Sequence, residues 1–356
     1  MAKPRVFTAT GTQAGVYHLV SRIVDRQFRL DAPEKETFAR MMRAFAAFHQ
    51  VQILTYCLMG NHFHLLVRVP RRPKDFDLPF EKLWLLWQKA VGRTWHTNLH
   101  RQFEIFRTSG SEAGIEQWRQ RMLGRMFSLT EFMKALKQRF TQWYNRTHDR
   151  TGTLWEGRYK SLIVQDEERA LRIMATYIDL NPVRAGLTGD PASHRWSGYA
   201  EAMAGNRDAL EGLARITGAT AERVLGQAPG TPAPSETSAQ RKRRHHRALL
   251  HYRQMLGLAG RERVREDGTV TRRGLSEKVQ KSLANESAPA IQRELLLKRV
   301  KHFTRGVILG SREFIDDWFE RHRPWFAGRS ATTRETGARP ISKEWRGLYN
   351  LRQLRP

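Results

Sequence analysis

The sequence is poor in cysteine, with Cys57 alone among 356 residues. A single cysteine excludes an internal disulfide framework and any multi-cysteine zinc site, and it fits a reducing cytoplasm. The sequence also lacks the run of about 18 apolar residues that a membrane-spanning helix needs. The first residues, MAKPRVFTATG, contain no apolar stretch typical of a secretion signal. We therefore expect a cytoplasmic protein with no membrane partner.

Negative charge is scarce as well. The chain has 62 Lys and Arg against 35 Asp and Glu, which gives a formal net charge of +27. The excess is concentrated in residues 241–356, which hold 28 basic and 12 acidic residues. This composition predicts a polyanionic partner, because Lys and Arg release condensed counterions when they contact phosphates. Nucleic acid is the favoured partner, and ribosomal, chromatin-like and anionic-membrane binding are the alternatives.

The first part of the chain predicts half of a ferredoxin-like sheet. Four segments have the composition or periodicity of regular structure: a strand at 16–24, a helix at 33–49, and strands at 51–58 and 62–69. Asp31 and Glu34 have the spacing of a capping box at the start of the helix. Gly60 and Asn61 predict a tight turn between the last two strands. Strand, helix, strand and strand in this order form one ferredoxin-like half.

The rest of the chain predicts mainly helices. We expect two helices within 71–127, a helix from Ser128, a strand at 157–164, and a helix from Asp166 to Leu180. Residues 227–240 (QAPGTPAPSETSAQ) have the composition of a linker. The predicted parts are a first domain at 1–204 with a helical insertion at 71–127, a helix and linker at 205–240, and an extension at 241–356. The expected fold class is α+β, with a ferredoxin-like antiparallel sheet, helices on one face, and a mainly helical basic extension.

His62 and His64 stand at alternate positions of the predicted strand 62–69. Side chains alternate across a sheet, so both imidazoles face one side while Phe63 faces the other. Neutral imidazole is a good donor to first-row divalent metals, and two on one face suit cis ligands of one ion. The alternative is a pair of polar histidines on a solvent-facing strand, and the isolated motif does not decide between the two.

Tyr177 and Asn181 lie four residues apart near the end of a predicted helix. This spacing places both side chains on one helix face, about one turn apart. A phenol there is a candidate nucleophile towards phosphorus, and an Asn oxygen is a candidate metal ligand. The alternative is a core tyrosine followed by an Asn-Pro helix stop. The combination with His62 and His64 favours the chemical interpretation.

Three motifs occur in order: MGNHFH at 59–64, GTLWEGRYK at 152–160 and YIDLNPVRAGL at 177–187. Together they resemble the REP-associated tyrosine transposases, a branch of the HUH superfamily of single-tyrosine transposases. Further similar residues are Tyr17, His18, Ser21, Arg22 and the WSGY stretch at 196–199. The resemblance covers about residues 14–204. The long 71–127 connection and the extension depart from the compact members of the family.

The resemblance implies the HUH nuclease fold, with the tyrosine-bearing helix packed over the paired histidines. It aligns the nucleophile with Tyr177, the histidine ligands with His62 and His64, and the polar metal-coordinating residue with Asn181. It also implies cutting of single-stranded DNA beside hairpins formed by repetitive extragenic palindromes. A monomer is implied, and a dimer, as in the insertion-sequence relatives, is the alternative.

The implied chemistry needs activation, because a phenol with a pKa of about 10 is a poor nucleophile at neutral pH. A divalent metal at His62 and His64 would polarise the scissile phosphate and offset the charge that builds up on it. Two imidazoles favour Mn²⁺ or another first-row ion, while Mg²⁺ is favoured by cellular abundance. Attack by Tyr177 would give a 5′-phosphotyrosine and a free 3′-OH without ATP, since one ester replaces another.

Further residues are predicted to contact DNA, all of them basic or aromatic: Arg22, Arg158, Tyr159, Lys160, Arg184, Arg241, Lys242, Arg243 and Arg244. The run that starts at Arg241 is also typical of a solvated, flexible segment. In the extension, Trp318, Trp325 and Phe326 stand among basic residues. Such aromatics suit stacking on unpaired bases and equally suit a small helical core.

Two rival functions follow from the same residues. The first is a non-catalytic regulator that binds hairpin DNA on the same fold. The second is a metal hydrolase in which His62 and His64 serve a water nucleophile, so that no protein–DNA adduct forms. Among the other tyrosines, we expect Tyr144 to pack in the core, and Tyr159 either to stack on a base or to pack in the sheet.

Overall fold

The computed structural model describes residues 14–92, 98–219, 236–260, 263–264, 269–284, 307–322, 339–340 and 349–351. The strands are β1 (Gly15–Arg22), β2 (Gln52–Leu58), β3 (His62–Val69), β4 (Lys160–Val164), β5 (Arg263–Val264), β6 (Val270–Arg272), β7 (Ile308–Gly310), β8 (Arg339–Pro340) and β9 (Tyr349–Leu351). The helices are α1 (Ala32–His49), α2 (Phe80–Val91), α3 (Asn98–Thr108), α4 (Glu112–Leu123), α5 (Leu129–Thr147), α6 (Glu168–Asp179), α7 (Asn181–Arg184), α8 (Gly198–Met203), α9 (Arg207–Ile216), α10 (Ser238–Ala259), α11 (Glu277–Ala284) and α12 (Arg312–Arg321).

Local sequence signals account for where the main helices begin. The capping box predicted at α1 is present, with Asp31 and Glu34 exchanging side-chain and backbone hydrogen bonds. At α5 the Ser128 hydroxyl accepts a hydrogen bond from the Glu131 amide. Outside the insertion at 71–127, the predicted strands and helices of residues 14–180 are confirmed to within a few residues. The insertion differs, because it holds α2, α3 and α4 where two helices were predicted.

The main sheet has the strand order β2-β3-β1-β4-β7-β9-β8 within the described residues. β1 lies between β3 and β4 and pairs with both in antiparallel fashion, while β7 pairs with β4 in parallel. The predicted α+β fold with a central antiparallel sheet is therefore confirmed. Strands β7, β8 and β9 come from the carboxyl-terminal extension, so that part contributes strands to the sheet as well as helices.

The two faces of the sheet are covered by different helices. Phe63, Leu65 and Val67 on alternate positions of β3 are buried against α1 and α5, and we name this side the core face. Leu66 on the intervening positions is buried with residues of α6, α9 and α10, and we name this side the site face. The prediction placed helices on one face, whereas the structure has them on both, because strand residues of both parities are buried.

Helices of the extension pack against the amino-terminal part of the chain. Tyr252, Met255 and Leu256 of α10 are buried together with apolar residues of α6. α10 begins at Ser238, inside the predicted linker. No helix in the described part of the chain is both long enough and apolar enough to cross a membrane. Trp318 of α12 is buried in the core. Trp325 and Phe326 lie outside the described residues, and the predicted domain boundaries stay predictions.

Candidate active site

The register of the sheet places basic and histidine side chains in two adjacent rows. His62 pairs with Arg22 on β1, and His64 pairs with Val20. Val20 pairs in turn with Lys160 on β4. Directly paired residues point to the same face, so Arg22, His62, His64 and Lys160 all belong to the site face. Two of them, Arg22 and Lys160, are exposed to solvent.

The His62 ring is held through its Nδ1 atom. Nδ1 lies 2.6 Å from Oδ1 of Asn61, and Nδ2 of Asn61 donates to the carbonyl oxygen of Arg26 at 2.9 Å. The second bond orients the Asn61 amide, so its oxygen faces His62 and accepts a hydrogen from Nδ1. The His62 ring therefore carries its proton on Nδ1 and a lone pair on Nε2. In this tautomer Nε2 is able to bind a metal.

His64 has a buried histidine as its neighbour. Nε2 of His18 lies 2.9 Å from Nδ1 of His64, and the two rings are stacked with centroids 5.1 Å apart. His18 is 1% exposed and His64 is 3% exposed. If His64 donates from Nδ1, its Nε2 carries the lone pair, as in His62. The sequence signal for His18 was its position on β1, two residues before the partner of His64.

Both motif histidines are neutral at physiological pH. Burial lowers the pKa of His62 to about 4, and the nearby Arg22 adds to the effect. Burial also holds the pKa of His64 well below its usual range, with further contributions from His18 and His62. Neutral imidazole is the form that binds a metal, so the environment favours ligation over protonation.

Tyr177 lies over the histidines on α6. Its ring centroid is 5.5 Å from that of His64 and 5.9 Å from that of His18, edge-on in both cases. The guanidinium carbon of Arg184 lies 5.3 Å from the centre of the Tyr177 ring. Burial raises the pKa of the Tyr177 phenol, while Arg184 and Arg22 act in the opposite direction by favouring the phenolate.

Asn181 begins α7 directly after the helix that carries Tyr177. Its Nδ2 atom donates to the carbonyl oxygens of Tyr177 and Ile178, at 2.9 Å and 3.1 Å. The amide nitrogen is thus bound to the end of α6, and Oδ1 is the atom that can ligate a metal. Among the described residues no group of three His, Cys, Asp or Glu could hold an ion. A metal at His62 and His64 would therefore need amide or water oxygens to complete its shell.

The other predicted DNA contacts fall into two groups. Arg158, Lys242 and Arg243 are exposed, like Arg22 and Lys160, and Arg184 is half-buried beside Tyr177. Tyr159 is 6% exposed and packs in the core, which leaves little of its ring for a base to stack on. Arg244 is 9% exposed and forms ion pairs with Glu211 and Glu236, and Arg241 also pairs with Glu236. The role of each residue in DNA binding stays a prediction.

A buried carboxylate, Asp179, lies two residues after Tyr177 on α6, and sequence reasoning missed it. Asp179 is fully buried and accepts hydrogen bonds from the hydroxyls of Thr55 on β2 and Tyr252 on α10. Burial raises the pKa of Asp179 to about 7, against the effect of these two donors. The contact ties the carboxyl end of α6 to the extension. The only hint in the sequence is an acidic residue on the apolar side of α6.

Comparison with known proteins bears out the resemblance for the amino-terminal part of the chain. Residues 12–74 match the family model described as transposase IS200 like. The matched stretch contains β1, α1, β2 and β3, and with them both motif histidines. The chain thus carries the sequence pattern of the IS200-like transposases over that stretch.

Among solved structures, the chain is similar to one described as a REP-associated tyrosine transposase bound to a REP hairpin. The identity is 14%, the match covers 66% of this chain and 100% of that chain, and the TM-score is 0.36. A TM-score this low carries no argument about the present chain. The chain matches none of the curated proteins with which it was compared.

Proposed function

We propose that this protein is a metal-dependent endonuclease and strand transferase that acts on single-stranded DNA beside hairpins. The observation that carries the proposal is the Tyr177 ring, which lies 5.5 Å from His64 on the site face. Arg22 and Lys160, exposed on the same face, supply positive charge for the phosphates next to the cut. The substrate class includes the hairpins of repetitive extragenic palindromes, and the working form is a cytoplasmic monomer.

Tyr177 is the nucleophile in this proposal. Its Oη atom attacks the scissile phosphorus, the phenol loses its proton, and the bond from phosphorus to the 3′ oxygen breaks. The products are a 5′-phosphotyrosine and a 3′-OH, and the reverse step rejoins strands. Burial raises the pKa of Tyr177, and Arg184 and Arg22 oppose that rise by favouring the phenolate form that attacks.

The donor set fits a divalent metal. His62 and His64 are neutral, their Nδ1 atoms have partners, and Asn181 offers an amide oxygen, so these three residues would hold the ion. When bound, Mg²⁺ or Mn²⁺ would polarise the phosphate and offset its developing charge. Asn61 and His18 orient the two rings and thereby keep the site ready for the ion.

The experiment is a labelled hairpin oligonucleotide with an unpaired extension, incubated with the full chain and Mn²⁺ and run on a denaturing gel. We expect a protein–DNA adduct from the native chain and none from Tyr177→Phe, which removes only the hydroxyl. The matched control is Tyr144→Phe, because Tyr144 is buried on the core face and should leave the adduct unchanged.

Other outcomes distinguish the rivals. Cut DNA without any adduct would indicate the metal hydrolase with a water nucleophile. Binding without cutting, in the presence of Mg²⁺ or Mn²⁺, would indicate the non-catalytic hairpin-binding regulator. An adduct that persists in Tyr177→Phe and maps to Tyr144 or Tyr159 would move the nucleophile to another tyrosine.

A further inference from the structure

A groove of about 690 Å³, which we name the α5 groove, lies on the core-face side between α5 and the segment 153–159. Most of its lining residues are polar, basic or aromatic: Thr130, Met133, Lys134, Lys137, Gln138, Thr141, Gln142, Thr153, Trp155, Gly157, Arg158 and Tyr159. No carboxylate occurs among these lining residues, all of which belong to the described part of the chain. The groove thus offers hydrogen-bond donors and positive charge, as a polyanion requires.

The groove wall on α5 is a stripe along the helix. Thr130, Lys134, Gln138 and Thr141 recur at helical spacing, and the stripe is about 17 Å long at 1.5 Å per residue. Lys134 and Gln138 are exposed. The opposite side of the helix packs into the core, so the helix presents this stripe without any cost to its apolar packing.

The other wall is fixed against α5 by hydrogen bonds. Lys137 donates to the carbonyl oxygen of Gly157 at 2.7 Å, and its ammonium lies 5.3 Å from the centre of the Trp155 ring. Nε1 of Trp155 donates to the hydroxyl of Thr141 at 2.9 Å. These contacts hold the segment 153–159 at a defined distance from the helix, so the groove is a built feature of the fold.

The same segment leads directly to the site face. The Glu156 amide donates to the carbonyl oxygen of Arg22 at 2.9 Å, at the end of β1 where Arg22 pairs with His62. Lys160 then begins β4 in the row of His64. Arg158 is exposed two residues earlier. A chain of phosphates along the groove would therefore pass Arg158 and Lys160 before it reached Tyr177.

A second groove, unlike the α5 groove, has carboxylates among its lining residues. It has a volume of about 620 Å³ and lies between α1, β2 and α9. Its lining includes Glu201, Asp208 and Glu211, and its arginines pair with carboxylates, Arg43 with Glu201 and Arg244 with Glu211. The positive charge of that groove is neutralised within the protein. The α5 groove is therefore the better fit to a polyanion.

We propose that the α5 groove binds the unpaired DNA strand that continues from the phosphate cut by Tyr177. This inference rests on the proposed function and names where the single strand lies. The groove contacts the sugar-phosphate backbone through Lys134, Arg158 and the neighbouring amides and hydroxyls, so it follows the strand without reading its sequence. The hairpin stem lies outside the groove.

Binding is measured on the full chain carrying Tyr177→Phe, which leaves the DNA uncut. Two fluorescent hairpins are compared, which differ only in an unpaired extension of about ten nucleotides on the cleavage side. We expect Lys134→Glu to weaken binding of the extended hairpin about tenfold and to leave the hairpin without extension unaffected. The slope of log affinity against log salt should fall by about 0.7 for each phosphate that the variant no longer neutralises.

The matched control is Lys82→Glu, an exposed lysine on α2 outside the groove, which should change neither affinity. Equal weakening on the two hairpins, or no weakening on either, overturns the proposal. A photo-crosslinking uridine in the extension should attach to a peptide of α5, and attachment only elsewhere also overturns it. Adduct formation by the chain with Tyr177 is assayed separately, so a failure of the proposed function is seen independently of the groove.

Discussion

The two faces of the central sheet differ in what they bury. On the core face, Phe63 and Leu65 of β3 pack against apolar side chains of α1 and α5. On the site face, the polar side chains of His18, His64 and Asp179 are buried together with apolar residues. A buried polar group lowers the free energy of unfolding unless it is hydrogen-bonded. His18, His64 and Asp179 each have a hydrogen-bond partner.

The difference teaches that a buried histidine alone says little about function. His49 on the core face is fully buried, and burial lowers its pKa to about 4, as in His62. Its Nδ1 atom, however, lies 2.9 Å from the carbonyl oxygen of Arg125, a structural partner within the core. The site face instead gathers three histidines and Tyr177 around one point. Clustering, rather than burial, marks the candidate active site.

The largest effect is expected from removing the cover of the site face. A chain that ends at Ala219 loses α10, whose Tyr252, Met255 and Leu256 are buried, and also the core residue Trp318. Each such side chain contributes about 1.5–3 kcal/mol, against a total stability of about 5–15 kcal/mol. We expect the truncated chain to lose its cooperative thermal transition and to aggregate.

The control for the truncation is a chain that ends at Gly260, which keeps α10. It should retain a cooperative transition at a lower temperature, because the site face stays covered. A chain ending at Ala219 that melts cooperatively at the temperature of the full chain would contradict the view that α10 completes this face.

The next prediction compares the two faces of the sheet at two neighbouring residues of β3, Phe63 and His64. Phe63→Ala should lower the free energy of unfolding by about 3–5 kcal/mol, because it leaves a cavity in the core face. His64→Ala should cost about 1–2 kcal/mol, the loss of one buried hydrogen bond, and should abolish adduct formation. Urea unfolding and the denaturing gel measure the two quantities. Full adduct formation by His64→Ala at any Mn²⁺ concentration would remove His64 from the reaction.

Much of this comparison could be predicted from the sequence. Alternation along HFHLLVRV at 62–69 places Phe63 and His64 on opposite faces, and the capping box at Asp31 places the start of α1. Such features depend on residues close together in the chain. The pairing of His62–His64 with Tyr177 came from the ordered motifs, because nothing local links residues more than one hundred positions apart.

Long-range packing is what the sequence could not reveal. The contact of Tyr252 with Asp179 joins residues 73 positions apart, and neither was singled out by its neighbours in the chain. The run from Arg241 was expected to contact DNA, yet Arg244 is bound by Glu211 and Glu236, acids that were unremarkable in the sequence. Charge patterns predict a partner for the whole molecule, whereas ion pairs within the fold decide which charges stay available to it.

The smallest effect concerns the buried carboxylate of the site face. The pKa of Asp179 is raised by burial to about 7, while the Tyr252 hydroxyl lowers it by donating a hydrogen bond. Tyr252→Phe removes that donor and raises the pKa of Asp179 further. The folded state then holds its proton more tightly than before, whereas the unfolded state still releases it near the ordinary value of 3.8.

The sign of the pH effect follows. Below about pH 4, Asp179 is protonated in both states and the pKa difference contributes nothing to the stability gap between Tyr252→Phe and the native chain. As pH rises through the folded pKa, the native chain gains a carboxylate held by Tyr252, and the variant does not. The gap should therefore stay constant up to about pH 6 and grow as the pH rises through the folded pKa of about 7, towards about 1–3 kcal/mol. The control is Tyr199→Phe, because Tyr199 contacts Asp179 through its backbone amide, which this variant keeps. The difference in stability between Tyr199→Phe and the native chain should therefore not vary with pH. A gap for Tyr252→Phe that is constant or shrinks with rising pH would show that Tyr252 does not stabilise the ionised carboxylate.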